Sequence, residues 1–242
     1  MVSSMMRRTP AFAALALAIA ACGGAPPPKP VEPPSPVAEK PRRPKLQMQS
    51  ELGEIDQAAV EATMKAAQPK LQACHRSGLK RVEYLSGDVK FFLRIGQDGR
   101  VKYSYFEEST LGDADTEDCI LQVLQKEAWP KPEGGEAEVR KSFGFDAPGD
   151  VRAPTSWPSD KIVTALGKAE DDVKKCRRGV SGSFKVTAYV EPDGKHGKVQ
   201  AVGVVPPGKE GTDKIDCIIK TVRSMKGIPS PGSYAAKVTF IL

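Results

Sequence analysis

The sequence has few of the side chains that carry enzyme chemistry near neutral pH. It contains two histidines, His75 beside a cysteine that is assigned to a disulfide below and His196 in a hairpin, and neither has a plausible nucleophile partner in the sequence. Ser181-Gly182-Ser183 is typical of a turn and lacks the G-x-S-x-G spacing of a hydrolase nucleophile. Acidic pairs such as Glu107-Glu108 and Asp171-Asp172 are typical of solvated faces or helix caps. The sequence therefore predicts no catalytic residues and a protein that is not an enzyme.

A strong charge of one sign is also lacking, as are hydrophobic runs long enough to cross a membrane. The 242 residues carry 36 Lys and Arg against 30 Asp and Glu, a formal charge of +6 that is mostly interleaved in sign. Such a weak field does not indicate a nucleic-acid partner. A content of 40% hydrophobic and 27% charged residues excludes a collagen, a wholly disordered chain and a multi-span membrane protein. Nothing in the sequence predicts a cofactor or a small-molecule substrate.

The N-terminus carries an export signal. Arg7 and Arg8 precede an apolar run over residues 11–21, which is shorter than the about 20 residues that a membrane helix needs. The tetrad Ile19-Ala20-Ala21-Cys22 resembles a bacterial lipobox, which implies cleavage after residue 21 and acylation of Cys22. The resemblance to bacterial lipoproteins also implies that Gly23, in the position after the cysteine, favours sorting to the outer membrane, facing the periplasm. The alternative is an ordinary signal peptide whose cleavage site happens to contain a cysteine.

A proline-rich tether follows the lipidated cysteine over residues 22–50. Prolines crowd the stretch from Pro26 to Pro44, where few residues could contribute to a core. In the polyproline II conformation this stretch would reach roughly 60 Å at ~3.1 Å per residue. We interpret it as a spacer, and the alternative is a ligand for aromatic-lined grooves.

The rest of the chain contains one unit twice, over residues 51–147 and 155–242. Each copy begins with apolar residues spaced by three and four positions, which predicts one face of a helix. A kink or a late start is expected at Pro69. The matching positions are Val60, Met64, Ala67, Leu71 and Cys74 in the first copy, and Ile162, Leu166, Ala169, Val173 and Cys176 in the second.

Strands and a second helix follow in both copies. The segments LSGDVKFFLRIGQDGR and VSGSFKVTAYVEPDGK align without a gap, and each alternates before a turn at Asp98-Gly99 or Asp193-Gly194. Return strands are predicted near Val101 and Val199. An acidic start and a Pro-x-Pro end then delimit a second helix, and a last strand begins near Glu138 or Lys237. The predicted fold class is α+β, with two tandem αββαβ domains, each a three-stranded antiparallel sheet with two helices on one face.

Four cysteines remain once Cys22 is assigned to lipid, and an exported protein can oxidise them. Four cysteines allow three pairings, and the repeat selects Cys74 with Cys119 and Cys176 with Cys217. Each bridge would contribute roughly 4 kcal/mol in the chain-entropy model. Zinc binding is the competing interpretation, but the sequence has no C-x-x-C and the second copy has Arg177 where the first has His75. No metal site is therefore predicted.

The first copy resembles the TonB C-terminal-like fold, and more closely the AgmX/PglI C-terminal family associated with gliding motility. The resemblance covers about residues 55–146. It lies in Cys74, the hairpin GQDGRV at residues 96–101, DCI at 118–120 and WPKPEGG at 129–135. It implies a non-catalytic interaction module that pairs an edge strand with a partner peptide. The second copy departs from the pattern, with GKHGKV in its hairpin and IPSPGS at its exit.

These observations predict a subunit of an envelope assembly for gliding motility, secretion or TonB-like transport. The alternative is a cell-wall-binding or assembly-factor lipoprotein. The last strand of the first copy is the candidate partner-binding edge, with Val139, Lys141, Ser142, Phe143 and Phe145 as candidate residues. The basic cluster Lys174, Lys175, Arg177 and Arg178 is interpreted as favourable charge at a helix C-terminus, against the alternative of a contact with anionic lipid or cell wall.

Overall fold

The structure is a computed structural model that describes residues 52–242, which lie in one compact unit. The predicted signal peptide, Cys22 and the tether lie outside the described residues and stay predictions. The described chain is α+β, with five α-helices, a three-stranded antiparallel sheet, a second sheet of five strands and two disulfides. None of its helices is long and apolar enough to cross a membrane.

The first half has the predicted order of helix, strand, strand, helix and strand. Its elements are α1 (Gln57–Leu79), β1 (Gly87–Ile95), β2 (Val101–Ser109), α2 (Ala114–Lys126) and β3 (Ala137–Phe145). The strand order is β2-β1-β3, and both pairings are antiparallel. Because β1 is central, β3 lies at an edge of this sheet.

Helix α1 continues through Pro69, so the predicted late start is wrong. The side chain of Asp56 accepts from the amides of Ala58 and Ala59 and fixes the helix start. Proline removes one amide donor, but Pro69 lies on the exposed face, where water can satisfy the carbonyl left free. The opposite face is buried, with Val60, Ala67, Leu71 and Cys74 in the core.

The second half contains more elements than predicted. They are β4 (Thr155–Trp157), a 3-10 helix (Ser159–Ile162), α3 (Val163–Lys168), α4 (Glu170–Arg177), β5 (Lys185–Asp193), β6 (His196–Val205), a second 3-10 helix (Lys209–Lys214), α5 (Ile215–Arg223), β7 (Ile228–Pro229) and β8 (Ala236–Ile241). The strand order is β4-β8-β5-β6-β7, with β4 parallel to β8. The prediction of three antiparallel strands is therefore wrong for this half, because two short segments that the alternation did not mark as strands, β4 and β7, add to its edges.

The first helix of the second half is broken where the first half has one long helix. Helix α3 ends at Lys168 and α4 begins at Glu170. Gly167 disfavours a continuous helix, and the acidic run from Glu170 to Asp172 suits a new helix N-terminus. The predicted apolar face persists across the break, since Ile162, Val173 and Cys176 are all buried.

The two halves pack against each other over the outer face of the second sheet. Tyr189, Ala201 and Val205 project from that face into the core of the first half. The Tyr189 hydroxyl donates to the carbonyl of Ser86 at 3.1 Å, and Gln200 donates to the carbonyl of Arg81 at 2.8 Å. The inner face of the second sheet forms a separate core with α3, α4 and α5.

Each half contains the disulfide that the repeat predicts. Cys74 is bonded to Cys119 and Cys176 to Cys217, with Cα atoms 5.7 and 5.5 Å apart. Both bridges join the first helical region of a half to the second. They close loops of similar length, with sequence separations of 45 and 41.

Candidate functional site

The free edge of β3 is the candidate functional site. The amide of Gly53 donates to the carbonyl of Glu136 at 2.7 Å, which marks the side of this strand that faces away from β1. Backbone groups alternate along a strand. The amides and carbonyls of Glu138, Arg140, Ser142 and Gly144 therefore point to the outer edge, and no described residue pairs with them through the backbone.

The equivalent edge of the second sheet is partly covered. The amide of Thr155 donates to the carbonyl of Ala235 at 2.9 Å, as Gly53 does to Glu136 in the first half. Strand β4 then continues along β8 in parallel as far as Trp157 opposite Val238. In the first half the chain leaves the edge at Glu54 and enters α1, so β3 stays open.

The structure divides the predicted partner-binding residues into two groups. The side chains of Val139 and Phe145 are buried, at 3% and 5% exposure, and belong mainly to the core of the first half. Lys141 and Phe143 are half-buried beside α1, and Ser142 is exposed on the opposite face. Ser142 is the one predicted residue whose backbone amide points to the free edge.

A groove of about 280 Å³ runs between α1 and the end of β3. Its apolar lining comes from Met64 and Leu71 of α1 and from Phe143 and Phe145 of β3. Glu61 lies in the same groove and forms an ion pair with Lys141. An extended chain on the β3 edge would direct every second side chain toward this groove.

The outer face of the first sheet carries an aromatic cluster that the sequence analysis missed. Phe92 stacks between Tyr103 and Tyr105, with ring centroids 5.8 and 5.0 Å away. The guanidinium of Arg140 lies 4.5 Å from the centroid of the Phe92 ring. The signal was present in the alternation of Tyr103 and Tyr105 with smaller residues, which marks one face of a strand.

Ion pairs surround this aromatic cluster. Arg140 bonds to Glu107 at 2.7 Å and to Glu138 at 2.8 Å. Arg94 bonds to Glu136 and Glu138, and these contacts raise the pKa of Arg94. The outer face therefore carries aromatic rings surrounded by charged side chains that ion pairs hold in place.

Three of the other residues singled out from the sequence, His75, Lys174 and Lys175, have local partners. The Nε2 atom of His75 lies 2.8 Å from the carbonyl of Leu85, and its ring stacks on Phe145. Lys174 and Lys175 pair with Glu170 and Asp172 on their own helix. The interpretation of the basic cluster as favourable charge at a helix C-terminus stays a prediction. His196 lies exposed at the β5–β6 hairpin.

The chain was compared with protein-family models, with curated proteins and with solved structures. None of the three comparisons gives a match.

Proposed function

We propose that the protein is a non-catalytic lipoprotein of the bacterial envelope that captures an extended segment of a partner protein on the β3 edge. The observation that carries this proposal is the open run of backbone donors and acceptors from Glu138 to Gly144 beside an apolar groove. A peptide strand can satisfy those groups, and its alternate side chains can fill the groove. The partner would belong to an assembly for gliding motility, secretion or TonB-like transport.

Strand β4 supports this proposal from within the molecule. It is a short extended segment that pairs with β8, the counterpart of β3. Trp157 of β4 packs against the core of the second half. The outer edge of β8 therefore already pairs with an added strand. We propose the same pairing for the outer edge of β3, with the added strand supplied by the partner.

The finer architecture is part of the proposal. We regard the two halves as tandem TonB-like domains over residues 51–147 and 155–242, docked through the outer face of the second sheet. An acyl group on Cys22 and the tether would hold them at the outer membrane, in the periplasm. The resemblance of the first copy to the AgmX/PglI C-terminal pattern supports this interpretation for the first half, and the sequence repeat extends it to the second.

The edge can be tested with three matched variants in cells. Ser142→Pro removes one donor from the free edge of β3 and leaves the β1–β3 hydrogen bonds intact, because Ser142 points away from β1. Ser142→Ala keeps that donor. Ile241→Pro makes the equivalent change on β8, since the paired amides and carbonyls of Phe184 and Leu242 place residue 241 on the outer side. Circular dichroism checks that each variant folds.

In-cell crosslinking followed by mass spectrometry measures partner capture. We expect Ser142→Pro to reduce it about tenfold, because two or more net hydrogen bonds of about 1 kcal/mol would be disturbed. Ser142→Ala and Ile241→Pro should retain capture. A folded Ser142→Pro protein that captures as much partner as the unchanged chain would overturn the β3 edge as the site.

Cell-wall binding is a second candidate function, and the aromatic cluster favours it. The rings of Tyr103 and Tyr105 with adjacent charged groups resemble a surface that can stack on sugar rings. Binding of the purified chain to isolated sacculi is the test, with Tyr105→Ala as the variant. Retention on sacculi that Tyr105→Ala abolishes and Ser142→Pro leaves unchanged would favour this function over peptide capture.

Lipid anchoring is tested separately through Cys22. We expect Cys22→Ser to give an uncleaved or soluble precursor, because the acyl chains provide the membrane affinity. Fractionation and the mass of the mature protein are the measurements. A variant that still fractionates with membranes at an unchanged mature mass contradicts lipidation.

A further inference from the structure

The open part of β3 is centred on one residue, Lys141. Four residues direct their backbone groups to the free edge, namely Glu138, Arg140, Ser142 and Gly144. The amide of Gly53 occupies the carbonyl of Glu136 and closes the open run at one end. An added strand that uses the whole run therefore has its middle residue opposite Lys141.

A run of this kind can also pair with a second copy of the chain. In the antiparallel arrangement that uses all four residues, Glu138 lies opposite Gly144 of the other copy and Arg140 opposite Ser142. Lys141 then faces the Lys141 of that copy at a non-hydrogen-bonded position, where Cα atoms are about 4.5 Å apart. Like charges placed directly opposite each other destabilise strand pairing. Lys141 therefore protects the edge against self-pairing, as lysines do on other edge strands.

The charge of Lys141 is only partly compensated within the chain. Its side chain lies on the α1 side of the sheet and forms an ion pair with Glu61, which is 62% exposed. An ammonium group carries three donors, and no other described residue accepts a hydrogen bond from Lys141. The neighbouring Arg140 is bound by two carboxylates, Glu107 at 2.7 Å and Glu138 at 2.8 Å. Of the two cations on the open run, Lys141 is therefore the less compensated.

Apolar side chains follow Lys141 on the same side of β3. Phe143 and Phe145 come at the next alternate positions and line the groove of about 280 Å³ together with Met64 and Leu71 of α1. A strand on the β3 edge places its own alternate side chains opposite Lys141, Phe143 and Phe145 in turn. The edge therefore presents one positive charge and then an apolar surface to the added strand.

We infer that Lys141 determines which segment the β3 edge captures, namely an extended segment with an acidic residue opposite Lys141 and apolar residues at the next alternate positions. This inference rests on the proposed function and names the chemistry of the captured segment. The ammonium group attracts the carboxylate of such a segment and repels the Lys141 of a second copy. A single charge thus selects the partner and excludes the chain itself.

Peptide binding to the purified full chain at low ionic strength tests this role of Lys141. The probes are short fluorescent peptides with blocked ends and the order leucine, threonine, leucine, threonine and a variable residue, flanked by threonines. The variable residue is glutamate, glutamine or lysine. A second set has the reverse order, because a strand can add to β3 in either direction. Fluorescence anisotropy measures Kd.

The variants change one charge each. Lys141→Met removes the charge and keeps an unbranched side chain, and Lys141→Glu reverses the charge. The matched control is Lys70→Met, which removes another lysine of the first half that pairs with one carboxylate, Glu127, outside the groove. Circular dichroism checks that each variant folds.

In at least one of the two orders, we expect the glutamate peptide to bind about tenfold more tightly than the lysine peptide, because attraction replaces repulsion at one cross-strand pair. The glutamine peptide should lie between them. Lys141→Met should reduce the difference to less than about twofold, and Lys141→Glu should reverse the preference. Lys70→Met should keep the full preference.

Sedimentation measures the repulsion of a second copy. We expect Lys141→Met to form dimers at concentrations at which the unchanged chain and Lys70→Met remain monomeric, because the central like charges are gone. Adding Ser142→Pro to Lys141→Met should abolish these dimers. A Lys141→Met chain that stays monomeric would overturn the role of Lys141 in excluding a second copy.

Two peptide results would overturn the inference as a whole. One is equal affinity of the glutamate and lysine peptides for the unchanged chain, and the other is a preference that Lys141→Met retains. Ser142→Pro separates such a failure from a failure of the proposed function. If Ser142→Pro prevents the binding of every peptide, the β3 edge is the site and only the role of Lys141 is wrong. Binding that Ser142→Pro leaves unchanged, or no binding of any peptide, contradicts capture on β3 itself.

Discussion

The two halves of the described chain begin from one repeated unit but leave opposite parts of it free. The first sheet leaves the whole length of one edge, β3, open, and on its outer face Lys90 and Arg140 reach water while Phe92 is buried. The second sheet buries its outer face against the first half, and β4 covers part of the matching edge, β8. On the proposed function, we expect the second half to serve as a support and the first half, whose edge is open, to bind the partner.

Side chains on the two outer faces explain this difference. The first sheet carries Lys90, Arg94 and Arg140 there, together with the acids that pair with them. The second sheet has small residues such as Ala201 and Gly203, which allow the first half to approach closely. A Cβ atom at Gly203 would overlap the carboxylate oxygens of Glu117. Charge keeps one face in water, and small size lets the other be covered.

The largest expected effect tests whether the halves are equal in stability. Replacing Cys74 and Cys119 with alanine, or Cys176 and Cys217, should cost about 4 kcal/mol of unfolding free energy in either case, because the closed loops are similar in length. Urea unfolding is the measurement. Because the halves share a buried interface, we expect a single transition in both variants. Two separated transitions would indicate that the halves unfold independently.

The interface between the halves should make stability depend on pH. Burial raises the pKa of Glu117 from 4.5 to about 7, against hydrogen bonds from Ser109 and Gly112 that lower it. A raised folded-state pKa means that the stability is present below about pH 4.5 and is lost as pH rises to about 7. The expected loss is about 3 kcal/mol, from 1.36 kcal/mol per pKa unit.

Other groups face Glu117, so the measurement needs a matched variant. They are Asp113 at the N-cap of α2, Asp118 of α2, Tyr189 of β5 and Lys237 of β8. Burial lowers the pKa of Lys237 from 10.5 to about 8, so its contribution to stability changes only between about pH 8 and 10.5 and rises with pH. Unfolding of Glu117→Gln should lack the decrease between pH 4.5 and 7. A variant that keeps the full decrease would assign it to another group.

The elements that the sequence predicted are those with a regular pattern of their own. Periodicity located β1, β2, α2 and β3, because one buried face per element leaves a regular pattern. The repeat fixed both disulfides, since four cysteines alone leave three pairings. The docking of the halves gave no such signal, because Gly203 acquires its role only through its close approach to Glu117, which is distant in the sequence. Strand β4 was missed for the same reason, as its three residues depend on β8 for pairing.

The next expected effect follows from uncovering the edge of β8, which would make it as open as the edge of β3. Trp157 is half-buried on β4 and packs against the second core. Trp157→Ala should cost about 2 kcal/mol, roughly half of the value for a fully buried aromatic, and should loosen β4 from β8. The uncovered edge should then associate at high concentration. Urea unfolding and sedimentation measure the two effects, and Ser156→Ala is the exposed control. Trp157→Ala without any association would mean that β4 does not protect β8.

The smallest expected effect is on the unfolding free energy when a cation that lies over an aromatic ring is removed. Each outer face has one such cation, Arg140 on the first sheet and Lys237 on the second. Arg140 lies over Phe92 in water, and its carboxylate partners raise its pKa, so its charge is favoured. Lys237 lies 5.1 Å from the Tyr189 ring in the buried interface, and burial lowers its pKa, so its charge is costly there. Arg140→Met should therefore cost up to about 1 kcal/mol at neutral pH. Lys237→Met should change stability by less than about 0.5 kcal/mol, because the loss of the hydrogen bond to Ser86 is offset by relief of the buried charge.

Urea unfolding of both variants measures the two losses, and Arg140→Lys is expected to lie between Arg140→Met and the unchanged chain. A larger loss for Lys237→Met than for Arg140→Met would mean that the buried cation holds the halves together.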